Sequence, residues 1–341
     1  MPAVVVYGAY GHTGRFIVAE LVRRGWTPIL SGRDEARLRA LAATHPGLDV
    51  RPAAVDDPNA LDRVLRGGIA VVNAAGPFAR TAHAVAESAL RTGTHYLDVA
   101  AEVEVAHEIV TRYPDRARSA GIVIAPSIAF YGGLGDLLAT AAMGGWSSAD
   151  RITLAYALDS WIPTLGTRAT VATSKTRRDG RRLVFSGGRF VHRTDAAPVL
   201  DWTYPAPVGK QTVVGEFTTA DSVTIPHHLD TAVLDTYMTA APLRDLSAPD
   251  LTPPQPADDT GRSAQQFLVE VVAHANGAER RAVAAGRDIY AATAPIIAEV
   301  LTRIHSGNAV GVLTAGRIAD APELLRALHP AHFDRLDLGE Q

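Results

Sequence analysis

The chain has 341 residues, 47% of them hydrophobic, and a formal net charge of −3. That length is enough for two domains with separate cores, and the charge provides no basic field of the kind that draws nucleic acid. There is no cysteine, which excludes disulfides, thiolate zinc sites and a cysteine nucleophile, and with it dehydrogenases that work through a thioester.

Missing cysteine fits a reducing compartment. No basic segment precedes the strand-like run after Met1, so no secretory signal is expected and the expected location is the cytoplasm.

The first 127 residues alternate apolar runs with segments of helical spacing. The runs are Ala3–Tyr7, Pro28–Leu30, Val50–Ala54, Ile69–Asn73, Tyr96–Val99 and Ile122–Ala125; helical spacing marks Phe16–Val22, Ala36–Ala42, Ala82–Leu90 and Val103–Val110. Alternation of this kind predicts βαβ units and a parallel, Rossmann-type sheet.

The first run ends in "YGAYGHTGR". A strand, a glycine loop and a helix in that order make a dinucleotide site, because glycines let backbone N–H groups approach a pyrophosphate. The spacing is GxxGxxG rather than GxGxxG. The loop residues expected to hold the cofactor are Gly8, Tyr10, Gly11, His12, Thr13 and Gly14; the bland alternative is a tightly packed turn.

An NAD site usually carries Asp or Glu at the end of the second strand. This chain reads "ILSGRDEARL" there. Arg33 can pair with a 2′-phosphate and stack on adenine, and Ser31 can donate another hydrogen bond. Asp34 comes one residue late and is expected to cap the next helix. NADP is therefore the expected cofactor, with a solvated helix-start role as the alternative for Arg33.

After the fourth strand comes "VVNAAGPFARTAH". Ala75, Gly76 and Pro77 are expected beside the nicotinamide half of the cofactor, at the C-terminal edge of the sheet. "GTHYLDVAAE" ends the fifth strand. Asp98 there either faces the cleft, where it can help move a proton, or caps the following helix. A solvated or capping role is expected for Glu102.

Ile128 to Trp146 contains Asp136 and five glycines and reads as a buried helix with a glycine-rich start, not a membrane span. Tyr131 is expected near the domain cleft, or in a hinge without chemistry.

Beyond Pro126 the pattern turns to an α+β domain with a mixed or antiparallel sheet. Its signals are a strand at Ile152–Ala157, a helix at Thr167–Thr176, strands at Leu183–Phe185, Arg189–His192 and Gln211–Val214, a hairpin turning at Asn276-Gly277, and a helix at Tyr290–Ile304. Residues 247–263, rich in proline and acids, read as an exposed, mobile loop.

Arg168 can bind a carboxylate or phosphate through its planar fork, or sit on the surface. His227 and His228, read as neighbours on a strand, point to opposite faces; one can face substrate, and no metal site is expected. Tyr290 is expected to pack at the start of the long helix. No Tyr is followed four residues later by Lys, which argues against a short-chain dehydrogenase of the usual kind.

The order of "GAYGHTGR", "SGRDEARL", "NAAGPF", "THYLDVAAE", "FYGGLGDLLA" and "GRDIYAATAP" resembles the saccharopine dehydrogenase-like (saccharopine reductase-like) NADP-binding oxidoreductases. The resemblance covers residues 1 to 145, returns at 281–295 and is thin between. It implies a Rossmann domain, a second α+β domain carrying substrate, and a nicotinamide cofactor in the cleft. Members reduce imines or, in trans-acting enoyl reductases, C=C bonds. This chain has Ala101 where many members have Gly, so no role is carried over to Glu102.

The expected organisation is a dinucleotide-binding domain at 1–127, a substrate domain at 128–309, and C-terminal helices in 310–341 packing back on the first. The expected activity is NADP-dependent reduction of an imine or enoyl-type small molecule, with Asp98 and Tyr131 as catalytic candidates and Arg168 and His227 as substrate contacts. The alternative is an NADP-binding regulatory or partner protein without turnover. A homodimer is the oligomer considered.

Overall fold

The computed structural model describes residues 2–248 and 252–339. Its first half runs β1 (Ala3–Tyr7), α1 (His12–Arg23), β2 (Thr27–Gly32), α2 (Glu35–Thr44), β3 (Asp49–Pro52), α3 (Pro58–Leu65), β4 (Ala70–Asn73), α4 (Phe78–Thr92), β5 (His95–Asp98), α5 (Val103–Arg112), α6 (Pro114–Ala120) and β6 (Val123–Ala125). A single π-type turn, Phe130–Leu134, leads into α7 (Gly135–Met143).

The second half continues with β7 (Arg151–Leu158), α8 (Leu165–Arg178), β8 (Arg182–Ser186), β9 (Arg189–Arg193), β10 (Val199–Thr203), β11 (Lys210–Gly215), α9 (Asp221–Thr224), β12 (Val233–Thr239), α10 (Ala240–Ser247), β13 (Gln266–Ala275), β14 (Ala278–Arg287) and α11 (Ile289–Ser306). It closes with β15 (Gly311–Val312), α12 (Ala315–Ile318), α13 (Ala321–Leu328) and β16 (Arg335–Asp337).

Seven parallel strands form the first sheet in the order β15-β6-β5-β4-β1-β2-β3. Val4, Val5 and Val6 are fully buried, as a continuous apolar strand covered by helices on both faces must be. Strand order reverses between β1 and β4, and the crevice at such a reversal is where ligands bind in open α/β sheets.

The second sheet has nine strands, with the path β10-β11-β12-β7-β13-β14-β16 and β8 and β9 attached through β12. It is mixed: β7 and β12 run parallel, while β13 is antiparallel to both β7 and β14. Asn276 and Gly277 both take positive φ, 54° and 78°, as a two-residue hairpin loop of the primed kind requires.

One apolar core joins the two sheets. It runs from Ile17 and Leu21 of α1 through Leu137 and Leu138 of α7 and Ile297 and Leu301 of α11 to Val269 and Val271 of β13. The C-terminal segment returns to both sheets: β15 extends the first beside β6, and β16 extends the second beside β14.

Residues 252–263 of the proline-rich stretch are largely exposed, while residues 249–251 lie outside the described residues. Among the described residues no helix is long and apolar enough to cross a membrane.

Candidate functional site: a dinucleotide cleft

The β1–α1 loop is built by glycines with different tasks. Gly8 (φ 88°) donates to the Ser31 carbonyl at 2.8 Å. A Cβ on Gly8 would lie 2.8 Å from the backbone of Ala74 and Ala75, and one on Gly14 would overlap the Gly8 carbonyl oxygen. At Gly11 the nearest atoms are more distant, 3.1 Å and 3.8 Å, so this position is bounded by the loop on one side only. Gly11 caps α1, and no side chain takes the first N–H groups of that helix. Such an uncapped N-terminus favours an anion.

His12 opens α1. Its ring meets Phe16 and Tyr290 edge-on at 5.4 Å and 5.1 Å. Burial pushes its pKa down, partly offset by Asp288. Thr13 is half-buried in the same turn.

At the end of β2, Ser31 is fully buried and its carbonyl holds Gly8 and Ala9. Arg33 is exposed. Asp34 accepts the Arg37 backbone N–H at 3.1 Å, the cap that its position in the sequence predicts. The Arg37 guanidinium stacks over the Tyr10 ring at 4.5 Å. The Tyr10 ring in turn covers Gly32, where a Cβ would come within 2.9 Å of it. Arg37 was not singled out in the sequence; it lies in the first turn of α2, three residues after the capping Asp34.

At the end of β4, Asn73 ties down the following loop. Its Oδ1 accepts from Ala75 N at 3.1 Å and its Nδ2 donates to Thr81 Oγ1 at 3.1 Å, while Thr81 Oγ1 donates to the Ala75 carbonyl at 2.6 Å. Gly76 and Pro77 follow. A Cβ on Gly76 would lie 3.0 Å from Thr170 Oγ1 of α8, so the second domain rests on this loop.

Asp98 stands at the end of β5, fully buried. Its Oδ2 accepts from the Tyr96 hydroxyl at 2.7 Å; its Oδ1 accepts from Ala100 N at 3.0 Å and Ser127 N at 2.8 Å. Burial raises its pKa, and the two N–H groups work against that rise. These bonds lock the loops after β5 and β6 together. Glu102 caps a helix other than the one it begins: its Oε1 accepts from Phe78 N, the first residue of α4, at 2.9 Å.

Tyr131, in the π-type turn, is 6% exposed. Its ring packs against Tyr156 (5.0 Å), Trp161 (5.4 Å) and Phe217 (6.1 Å). Burial holds its hydroxyl well above the usual tyrosine range.

Behind it lie two residues the sequence reading passed over, Tyr156 of β7 and Asp221 of α9. Both are fully buried. Thr219 Oγ1 donates to Asp221 Oδ2 at 2.7 Å. A Cβ on Gly135 would overlap Asp221 Oδ1 and lie 3.0 Å from the Tyr156 hydroxyl. Gly135 therefore makes room for this carboxylate. Burial raises the Asp221 pKa to about 6. No local pattern marks these residues, because three separate elements bring them together.

Tyr290 does begin the long helix, and it is also a hydrogen-bond hub. Its hydroxyl accepts from Trp161 Nε1 at 3.2 Å and Thr164 N at 3.4 Å and shares a bond with Thr167 Oγ1 at 2.9 Å. It links the His12 turn of the first domain to the start of α8. Arg168 of α8 donates to the Ala248 carbonyl at 3.1 Å.

His227 is not brought to this cleft. It lines a separate cavity of about 380 Å³ with Pro114, Arg118 and Arg317 beside β15, four strand positions from β1 in the sheet order. The two histidines sit in the turn after α9, not on a strand. His228 Nε2 pairs with Asp136 Oδ1 at 2.6 Å, and Asp136 Oδ2 accepts from Gly316 N at 2.8 Å. Among the described residues no group of three His, Asp or Glu side chains could hold a metal ion.

Residues 4–125 match the family model for the saccharopine dehydrogenase NADP binding domain. A lipid droplet localized protein of Caenorhabditis elegans is 31% identical over 133 residues, 36% of this chain and 31% of that protein. A probable mitochondrial saccharopine dehydrogenase-like oxidoreductase of Arabidopsis thaliana is 28% identical over 142 residues, 37% of this chain and 31% of that protein. The matched part of the chain thus spans about a third of the length of these relatives.

Apo saccharopine dehydrogenase (L-Glu forming) from Saccharomyces cerevisiae superposes with a TM-score of 0.66 at 13% identity, over 99% of each chain. That likeness is one of fold. The N-terminal domain is thus similar to the nucleotide-cofactor domains of saccharopine dehydrogenase-like oxidoreductases.

Proposed function

We propose that the chain is an NADP-dependent reductase that delivers hydride to an imine or enoyl-type small molecule. The observation that carries the choice of NADP is the end of β2. Arg33 and Arg37 are there, and the acid that follows Arg33, Asp34, is engaged as the cap of α2. Two guanidinium groups pair with the charge of a 2′-phosphate and offer no acceptor to the hydroxyls of a bare ribose diol.

The residues fit such a cofactor. The first turn of α1, from Gly11 to Gly14, would take the pyrophosphate, with His12 and Thr13 beside it. Tyr10, Ser31 and Arg33 would border the adenosine half, and Ala75, Gly76 and Pro77 the nicotinamide half. When bound, the cofactor supplies the hydride.

In this reading Tyr131 supplies the proton, from a hydroxyl held among aromatic rings that exclude water. Asp98 positions the loops around it, since both its oxygens are engaged. Arg168 contacts substrate from α8, and His227 belongs to the cavity at β15.

The engaged Asp98 also favours a second reading, an NADP-binding regulatory or partner protein without turnover. Consumption of NADPH decides between them. It would be followed with an α,β-unsaturated aldehyde, and with a ketone in the presence and absence of a primary amine. Consumption with the aldehyde, or amine-dependent consumption with the ketone, is expected. No consumption in any mixture, with NADPH bound, supports the second reading.

A further inference from the structure

Glu102 is 3% exposed. Its Oε1 takes the first N–H of α4, while its Oε2 is buried and has no hydrogen-bond partner among the described residues. A buried carboxylate oxygen without a partner is costly and rare, so it needs an explanation.

Its position supplies one. The α4 N-terminus that Glu102 caps directly follows Gly76 and Pro77, the loop that Thr170 of α8 covers. Ala101, the residue before Glu102, accepts from Ala220 N at 3.0 Å. That bond ties the segment to the turn leading into α9 and Asp221. Glu102 thus lies where the β4 loop, the end of β5 and the second domain meet.

A purely structural cap needs one acceptor oxygen, and a serine or threonine at the helix start would provide it. Here the helix begins after Pro77, with no side-chain cap of its own. The acceptor comes instead from a side chain 24 residues away in sequence, and its second oxygen has no partner among the described residues. We infer that Glu102 positions the nicotinamide half of the cofactor, its Oε2 accepting the carboxamide N–H of the ring. This rests on the cofactor reading proposed above.

A carboxylate at that point also discriminates between redox states. Once ionised, it favours the positively charged oxidised nicotinamide over the neutral reduced one. Burial, then the charges of Asp98 and Glu104, raises the Glu102 pKa to about 7. The other charged and titratable groups about this segment are Arg178 of α8, paired with Glu104 at 2.8 Å, His83 of α4, paired with Glu108 at 2.9 Å, and Asp221, which follows the Ala220 bonded to Ala101. A variant at Glu102 is therefore needed to assign any pH effect.

The test compares NADPH and NADP+ with 2′,5′-ADP, a fragment that lacks the nicotinamide half. Binding would be titrated between pH 5.5 and pH 8.5, roughly centred on the Glu102 transition. Glu102→Gln retains the acceptor for Phe78 N and removes the charge. It is expected to weaken NADP+ about tenfold at the upper end of that range, the size of a lost charge-assisted hydrogen bond. Binding of 2′,5′-ADP should not change.

In the wild type, preference for NADP+ over NADPH should rise as pH passes the transition, and in Glu102→Gln it should stay flat. Glu102→Asp, which keeps the charge and shortens the reach, provides a second variant if the first does not fold. Equal weakening of the fragment and the full cofactors, no weakening of either, or an unchanged pH trend in the variant would each overturn the inference. Failure of wild-type protein to bind 2′,5′-ADP would instead remove the cofactor reading on which it stands.

Discussion

Asp34 accepts the backbone N–H of Arg37 at 3.1 Å, and the Arg37 side chain lies 4.5 Å above Tyr10. One helix start thus engages the nearby acid and carries a guanidinium beside Tyr10. Asp34→Ala is expected to cost about 1 kcal/mol of stability, the usual worth of such a cap, with no change in cofactor preference. Thermal unfolding and cofactor titration of that variant separate the two effects; a switch toward NADH would contradict the assignment.

The glycines of the first loop separate folding from binding. Gly14→Ala forces a methyl group into the Gly8 carbonyl and is expected to cost about 2 kcal/mol or more. Gly11→Ala meets its nearest neighbour at 3.1 Å, so it should fold with a loss under about 1 kcal/mol yet bind the cofactor poorly. Denaturant unfolding of both variants, with cofactor titration of Gly11→Ala, checks the ordering.

Asp221 makes stability depend on pH. Its folded pKa of about 6 lies above the ordinary carboxylate value of 3.8 because it is buried. The protonated form is the one the fold favours, so its contribution is complete below about pH 4 and is lost as pH rises through 6. Asp221→Asn should therefore gain on the wild type between pH 4 and pH 7, by roughly 2–3 kcal/mol. Parallel melts across that range test this; a constant difference would contradict it.

Helix α8 is held at its ends. Among its residues only Ser174 is buried, while Tyr290 holds its start and Arg178 bonds Glu104 and the Thr218 carbonyl near its end. A helix with so little buried surface exchanges early. Arg178→Ala is expected to raise amide exchange across α8 and to speed trypsin cleavage at Lys175, with the exchange of α7 unchanged. Equal protection of α8 and α7 in the wild type would count against this.

Much of the first domain was legible in the sequence, because fully buried parallel strands read as unbroken apolar runs and Asp34 sits where a cap belongs. α3 was missed despite its signals, Asp57 capping Ala60 and Pro58 in the first turn. In the second domain β12 was missed although it lies between β7 and β11; Asp235, Thr236 and Thr239 interrupt its apolar pattern, and it alternates between buried and half-buried positions.

The cofactor loop was legible because its chemistry is local. The buried pair of Tyr156 and Asp221 was not: they come together beside Gly135 only once β7, α9 and α7 have packed, and the two histidines after α9 read as a strand pair where the chain makes a turn.

The most direct test of the account is titration of the protein with NADPH and NADH, following nicotinamide fluorescence, alongside Arg33→Ala and Arg37→Ala. The account predicts tight NADPH binding, weak NADH binding, and loss of that preference in both variants, by about tenfold or more for each charged contact removed. Equal affinity for the two cofactors, or no binding of either, would contradict it.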